Sequence, residues 1–151
     1  MLKNPTLHIA IASAAVLAGA FAFQWAGYLP CHLCYLGRMA HYAAVGIGLA
    51  AAFLPATRRP ALYLLALVFA ANTVFSLWHA GIEWHFWPGP STCTGGGGLS
   101  GGLPDFTKLN VVLCDTPAIR ILGLSLAGWN AVISALFSAY ALRQGSSSVS
   151  Q

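Results

Sequence analysis

The chain has 151 residues, of which 58% are hydrophobic and 7% charged. A soluble domain usually carries about 25% charged residues, so a water-soluble fold is excluded and a membrane protein is expected. The net charge of +4 is scattered, with no basic run, which excludes a nucleic-acid-binding role.

A bilayer core needs roughly 20 apolar residues per spanning helix, and four stretches meet that need, near Leu7–Ala26, Tyr35–Leu54, Ala61–His79 and Ile121–Leu142. They use most of the chain, so residues 1–151 form a single integral-membrane domain, an all-α bundle of four transmembrane helices. The first stretch follows Lys3 and is rich in Ala and Gly, as a signal peptide is. It is nearer 20 residues than the roughly 7–15 of a signal core, and reads as a retained helix. Small residues at Ala15, Gly19, Ala22 and Ala26 predict a face on which another helix packs closely.

Between the first two helices lies Pro30-Cys31-His32-Leu33-Cys34. Proline suits a first helical turn because its missing N–H would lack a partner there anyway, so Pro30 is expected to open the second helix. Pro55 and Pro60 bracket a short turn containing Arg58 and Arg59, which makes helices 2 and 3 antiparallel neighbours. The segment of about residues 80–120 then joins helices 3 and 4 and holds all three acids, Glu83, Asp105 and Asp115. Lys3, Arg58, Arg59 and Arg143 all fall at the other ends of the helices. Cations of short loops stay in the cytoplasm, so both termini are expected inside. Cys31, Cys34, Cys93 and Cys114, the only cysteines, are expected on the outer face, an oxidising compartment in bacteria.

Two sulfurs in C-x-x-C stand one helical turn apart, within reach of a disulfide. A helix N-terminus and a nearby cation both favour thiolate, the nucleophilic form, and Arg38 follows Cys34 by one turn. An arginine costs roughly 2.5–3.5 kcal/mol at mid-membrane, so an intramembrane ion points to function. Arg38 is placed to hold Cys34 as thiolate and to donate to a quinone carbonyl; the bland alternative is a side chain reaching for the headgroups. His41 shares that face. Position 35 is Tyr, which excludes a c-type haem motif; a structural zinc with Cys93, Cys114 or His32 and a purely structural disulfide remain alternatives.

Cys93 and Cys114 flank a segment containing Gly95 to Gly98, Gly101 and Gly102. A disulfide closing a loop of this length stabilises by about 3 kcal/mol in the chain-entropy account, so a staple is one reading. The 20 intervening residues, if flexible, span about 25 Å, which lets the two thiols meet or separate at the water-facing side, as a partner-facing disulfide requires. In helix 3, Asn72, Ser76, His79 and Glu83 recur near helical spacing; they form either a hydrogen-bonding seam between helices or, led by His79, a proton path or a second wall of a quinone pocket.

Four helices, Pro-Cys-x-x-Cys with Arg four residues on, and a second cysteine pair after helix 3 together resemble the bacterial disulfide bond formation protein B family, DsbB. The resemblance spans nearly the whole chain. It implies a protein-disulfide:quinone oxidoreductase of the bacterial inner membrane, a monomer, with ubiquinone or menaquinone as cofactor and no metal. A periplasmic thioredoxin-fold oxidant like DsbA would be its partner. By matching position, Cys93 would form the mixed disulfide with that partner, with Cys114 as its mate. Cys31 would exchange with the loop pair, and Cys34, held as thiolate by Arg38, would donate to the quinone. The glycine run departs from the family's loop. A runner-up function is a small membrane transporter or sensor binding soft metal ions through the same thiols.

Overall fold

The structure is a computed structural model that describes residues 4–90 and 114–147. Cys93 and the glycine run, with the expectations made for them, lie outside the described residues. Among the described residues, three segments are long and apolar enough to cross a membrane: α1 (Pro5–Trp25), α2 (His32–Phe53), and Pro55–Glu83, in which a 3-10 turn (Pro55–Thr57) leads into α3 (Arg58–Glu83). A fourth helix, α4 (Leu126–Ser147), has the length to span but is more polar.

The helix ends explain where the expected boundaries shift. α1 stops at Gly27, which takes φ 98°; the amide of Gly27 bonds Gln24 O at 3.1 Å and that of Tyr28 bonds Phe23 O at 3.0 Å. This paired closure satisfies carbonyls the helix leaves open and needs a left-handed residue, here glycine. α3 runs past His79 to Glu83 and closes in the same way, with His85 in the left-handed position at φ 61°. α2 begins at His32, three residues before the expected start and with Pro30 outside it, because Cys31 is the N-cap. α4 begins later than expected. Residues 121–125, read as its first turns, instead join Arg120 in a hairpin of β1 (Arg120–Ile121) and β2 (Leu124–Ser125). Leu122 and Gly123 both have positive φ, 53° and 85°, the conformation of a two-residue turn that matches strand twist. Ser125 Oγ then accepts the Gly128 amide at 3.1 Å, capping α4.

The bundle is held by one apolar core and one polar ladder. Ile9, Ala40, Ala44, Leu62, Leu65, Ala66, Phe69 and Ala141 bury together. Along α3 and α4, Asn72 Nδ2 donates to Ser134 Oγ at 2.9 Å, Asn130 Nδ2 to Ser76 Oγ at 2.8 Å, and Ser138 Oγ to Ala66 O at 2.9 Å. Asn130, Ser134 and Ser138 of α4 therefore face α3, where each finds a partner. The expected seam is present at Asn72 and Ser76.

α1 packs with a different face from the one expected. Thr6, Ile9, Ala10, Ser13 and Leu17 are buried, whereas Ala15, Gly19, Ala22 and Ala26 are exposed. The close approach of α1 to α2 comes from Gly48 of α2. A Cβ there would stand 2.6 Å from Thr6 O and 2.9 Å from Ala10 Cβ, while one at Gly46 would meet nothing within 4 Å. Gly48→Ala is therefore expected to cost about 1–3 kcal/mol, the range for overpacking. Gly46→Ala should be neutral or stabilising, since glycine is a poor helix former. Thermal melts of the two variants in detergent check the difference.

Candidate functional site

At one end of the bundle converge the C-terminal ends of α1 and α3, the N-terminal ends of α2 and α4, and the hairpin. Cys31 sits there, 4% exposed, and its sulfur caps α2 by accepting the Cys34 amide at 3.2 Å. His79 Nε2 lies 3.6 Å from the same sulfur. The Cys34 thiol hydrogen-bonds Cys31, and this with His79 and the Cys34 amide outweighs burial, bringing Cys31 down to about 5 from the ordinary thiol range. The preferred thiolate in this arrangement is thus Cys31, held by Cys34 and His79, where sequence spacing pointed to Cys34 held by Arg38.

Arg38 turns toward α1. Its Nη1 donates to Gln24 Oε1 at 3.1 Å and its Nη2 to Ala20 O at 3.4 Å, with the guanidinium 5.6 Å from the Phe21 ring centre and 5.5 Å from that of Tyr35. These contacts account for a cation within an apolar bundle, and they leave further N–H donors of the fork uncommitted.

Cys34, Arg38 and His41, at helical spacing on α2, line one cavity with Ser76 and His79 of α3 and Asn130 of α4; the remaining walls are mostly apolar. Its room, about 170 Å³, is close to that of a cavity of about 150 Å³ known to hold benzene. His41 is 1% exposed. Asn130 donates its amide hydrogens to Ser76 Oγ at 2.8 Å and Gly37 O at 3.5 Å, so its carbonyl oxygen faces His41 Nε2 at 2.9 Å. A carbonyl only accepts, which puts the imidazole hydrogen on Nε2 and leaves Nδ1 an acceptor. Nδ1 is buried with no hydrogen-bond partner among the described residues. Sequence reasoning passed over Gln24 and Asn130; the available signal was a polar side chain inside an apolar helix.

Cys31 and Cys34 are free thiols, and Cys114 is disulfide-bonded. Cys114 is not water-facing as expected: it is 1% exposed and packs in one cluster with Cys31, Leu33 and Ile82, with Cys34 and Phe75 at its edge. The chain entering the hairpin is seated on the helix ends, which brings a sulfur of the second pair to the first. Glu83 is buried one turn beyond His79, in reach of the Ser125 hydroxyl, with Oε2 lacking a partner among the described residues.

Two cysteine sulfurs under a helix start, a third sulfur packed beside them, and a ring-sized apolar cavity against Cys34 make a site for thiol–disulfide exchange inside a helical membrane bundle. No curated protein and no solved structure matches the chain. The family model for disulfide bond formation protein DsbB matches residues 3–144, nearly its full length, and the chain belongs to that family, the membrane oxidoreductases of disulfide bond formation.

Proposed function

We propose that this protein is a thiol:quinone oxidoreductase that reoxidises a periplasmic thioredoxin-fold disulfide donor. One observation carries the reading: Cys34 lines the ring-sized cavity while its mate Cys31 packs against Cys114. The pair thus faces an electron donor on one side and an acceptor's site on the other.

The cavity suits a quinone head, because its walls are largely apolar and its polar groups include an arginine, two histidines, a thiol, Ser76 and Asn130. Ubiquinone or menaquinone, when bound, supplies the two-electron acceptor. Arg38 has N–H donors for a ring carbonyl, and His41 Nδ1 is an acceptor for a ring hydroxyl. The partner's dithiol reduces the loop disulfide through a mixed disulfide at Cys93, with Cys114 leaving. The loop dithiol then reduces Cys31–Cys34, each exchange being thiolate attack on a disulfide. Closing Cys31–Cys34 again releases two electrons and the Cys34 proton toward the cavity; because Cys31 is already thiolate, the second proton that a quinol needs comes from solvent. In the structure the inner thiols are free and Cys114 is disulfide-bonded, which corresponds to the step before that closure. The cations Arg58, Arg59 and Arg143 lie at the far end of the bundle, in keeping with both termini in the cytoplasm and this site toward the periplasm of an inner membrane.

The test supplies purified protein with a reduced thioredoxin-fold donor and a water-soluble quinone, and follows quinone absorbance. Thiol-dependent reduction is expected; its absence, with metal affinity in its place, would favour a metal transporter or sensor. Arg38→Ala should raise the quinone KM by about tenfold or more, since hydrogen bonds to charged groups contribute about 1.5–3 kcal/mol. Exchange between donor and loop should be unaffected. Unchanged quinone dependence would confine Arg38 to its contacts with α1.

A further inference from the structure

We propose that the reduced Cys31/Cys34 pair and His79 form a binding site for one thiophilic divalent cation of the zinc and cadmium class, open only when the pair is reduced. This goes beyond the quinone reading and does not depend on it.

The ligand atoms of the three residues lie within 4.8 Å of one another. Zinc bonds of about 2.3 Å to sulfur and about 2.0 Å to nitrogen, at tetrahedral angles, place those donors about 3.5 Å apart. Cys31 Sγ and His79 Nε2 stand 3.6 Å apart. Two thiolates and an imidazole are the donor set that soft and borderline cations prefer, and three protein ligands with an open fourth position is a common zinc arrangement. Charge favours occupancy too. A buried thiolate pair is costly when uncompensated, and a divalent ion cancels it. Glu83 adds a buried carboxyl one turn from His79, with Oε2 lacking a partner among the described residues. Arg38, the nearby fixed cation, is bonded to Gln24 and Ala20 of α1.

Binding replaces the remaining thiol protons with the metal, releasing them to solvent, and changes no oxidation state. The disulfide form cannot bind in this way, because its sulfurs share a bond of about 2.05 Å and carry no thiolate charge. The ion would in turn hold the sulfurs too far apart to close. Zinc or cadmium thereby holds the pair open in its reduced form.

The test uses the full-length chain carrying Cys93→Ser and Cys114→Ser, reduced, freed of reductant and titrated anaerobically with Cd²⁺. Thiolate-to-metal charge-transfer absorbance should saturate at one ion per chain and be absent after the inner pair is oxidised. His79→Ala should weaken binding by at least about tenfold, the lower end of what losing even a supporting residue costs a metal site. X-ray absorption of the same chain loaded with Zn²⁺ needs no change at His79 and should show two sulfurs with nitrogen or oxygen completing the shell. Equal affinity in folded His79→Ala, equal binding by the oxidised pair, a sulfur-only shell, or no binding would each overturn the site.

Discussion

Cys34→Ser and Cys31→Ser are each expected to abolish thiol-dependent quinone reduction, but to stop the protein at different points. Cys31 packs with Cys114, so with Cys34 replaced it retains a sulfur to exchange with and no mate to complete the transfer. A mixed disulfide between Cys31 and the loop pair should accumulate, visible by mass spectrometry of non-reduced peptides. With Cys31 replaced, Cys34 lines the cavity yet lacks both its resolving partner and the contact toward the loop, so that species should be missing. Serine can still accept the Cys34 amide as an N-cap, which keeps α2 intact and confines the loss to chemistry. Substantial turnover in either variant would end the scheme in which electrons pass from the loop pair through Cys31 and Cys34 to the cavity. Equal amounts of mixed disulfide in both would show that the division between the donor side and the cavity side is wrong.

The reactivity of Cys31 should titrate with a midpoint near pH 5. The hydrogen bond from the Cys34 thiol comes first among the causes, followed on the lowering side by His79, while burial pushes the other way. A thiol whose folded value is depressed is thiolate above that value, so alkylation by a small reagent should be flat through neutrality and fall as pH drops through about 5. Linkage has the same sign. The unfolded thiol titrates near 9, so this group's contribution to stability of the reduced protein is full above 9, declines as pH falls, and is gone below about 5. The measurement is the alkylation rate against pH in the chain with Cys93→Ser and Cys114→Ser. His79→Phe should move the midpoint upward, and Cys34→Ser should alter it as well. A midpoint near 9 in the parent chain would show that the hydrogen bonds at Cys31 do not act on its thiolate.

Much of the architecture was legible in the residue order because membrane physics acts on stretches of sequence. Apolar runs of spanning length located the helices, Pro55 and Pro60 marked the turn between α2 and α3, and the cysteine spacing with Arg38 marked the site and the family. Boundaries were less legible, since they depend on individual backbone conformations. Cys31 capping α2, His85 closing α3, and the left-handed pair Leu122 and Gly123 each move an end by a few residues, and cysteine, histidine and leucine are unusual in those positions. The small-residue stripe of α1 misled because spacing shows which residues share a face, not which face is covered; Gly48 and Thr6 decided that.

By itself, then, the sequence determined a helical membrane protein with two cysteine pairs and a cation within one turn of Cys34. Those properties depend on composition and on spacing along a single helix. The tertiary structure alone decided that His79 and the Cys34 amide both meet the Cys31 sulfur, that Cys114 is buried against Cys31, and that Arg38 is bonded to Gln24. It also decided that Asn130 orients His41 over the cavity. Each is a contact between residues far apart in the chain, and their distances depend on how the four helices pack rather than on any interval that can be counted along the sequence.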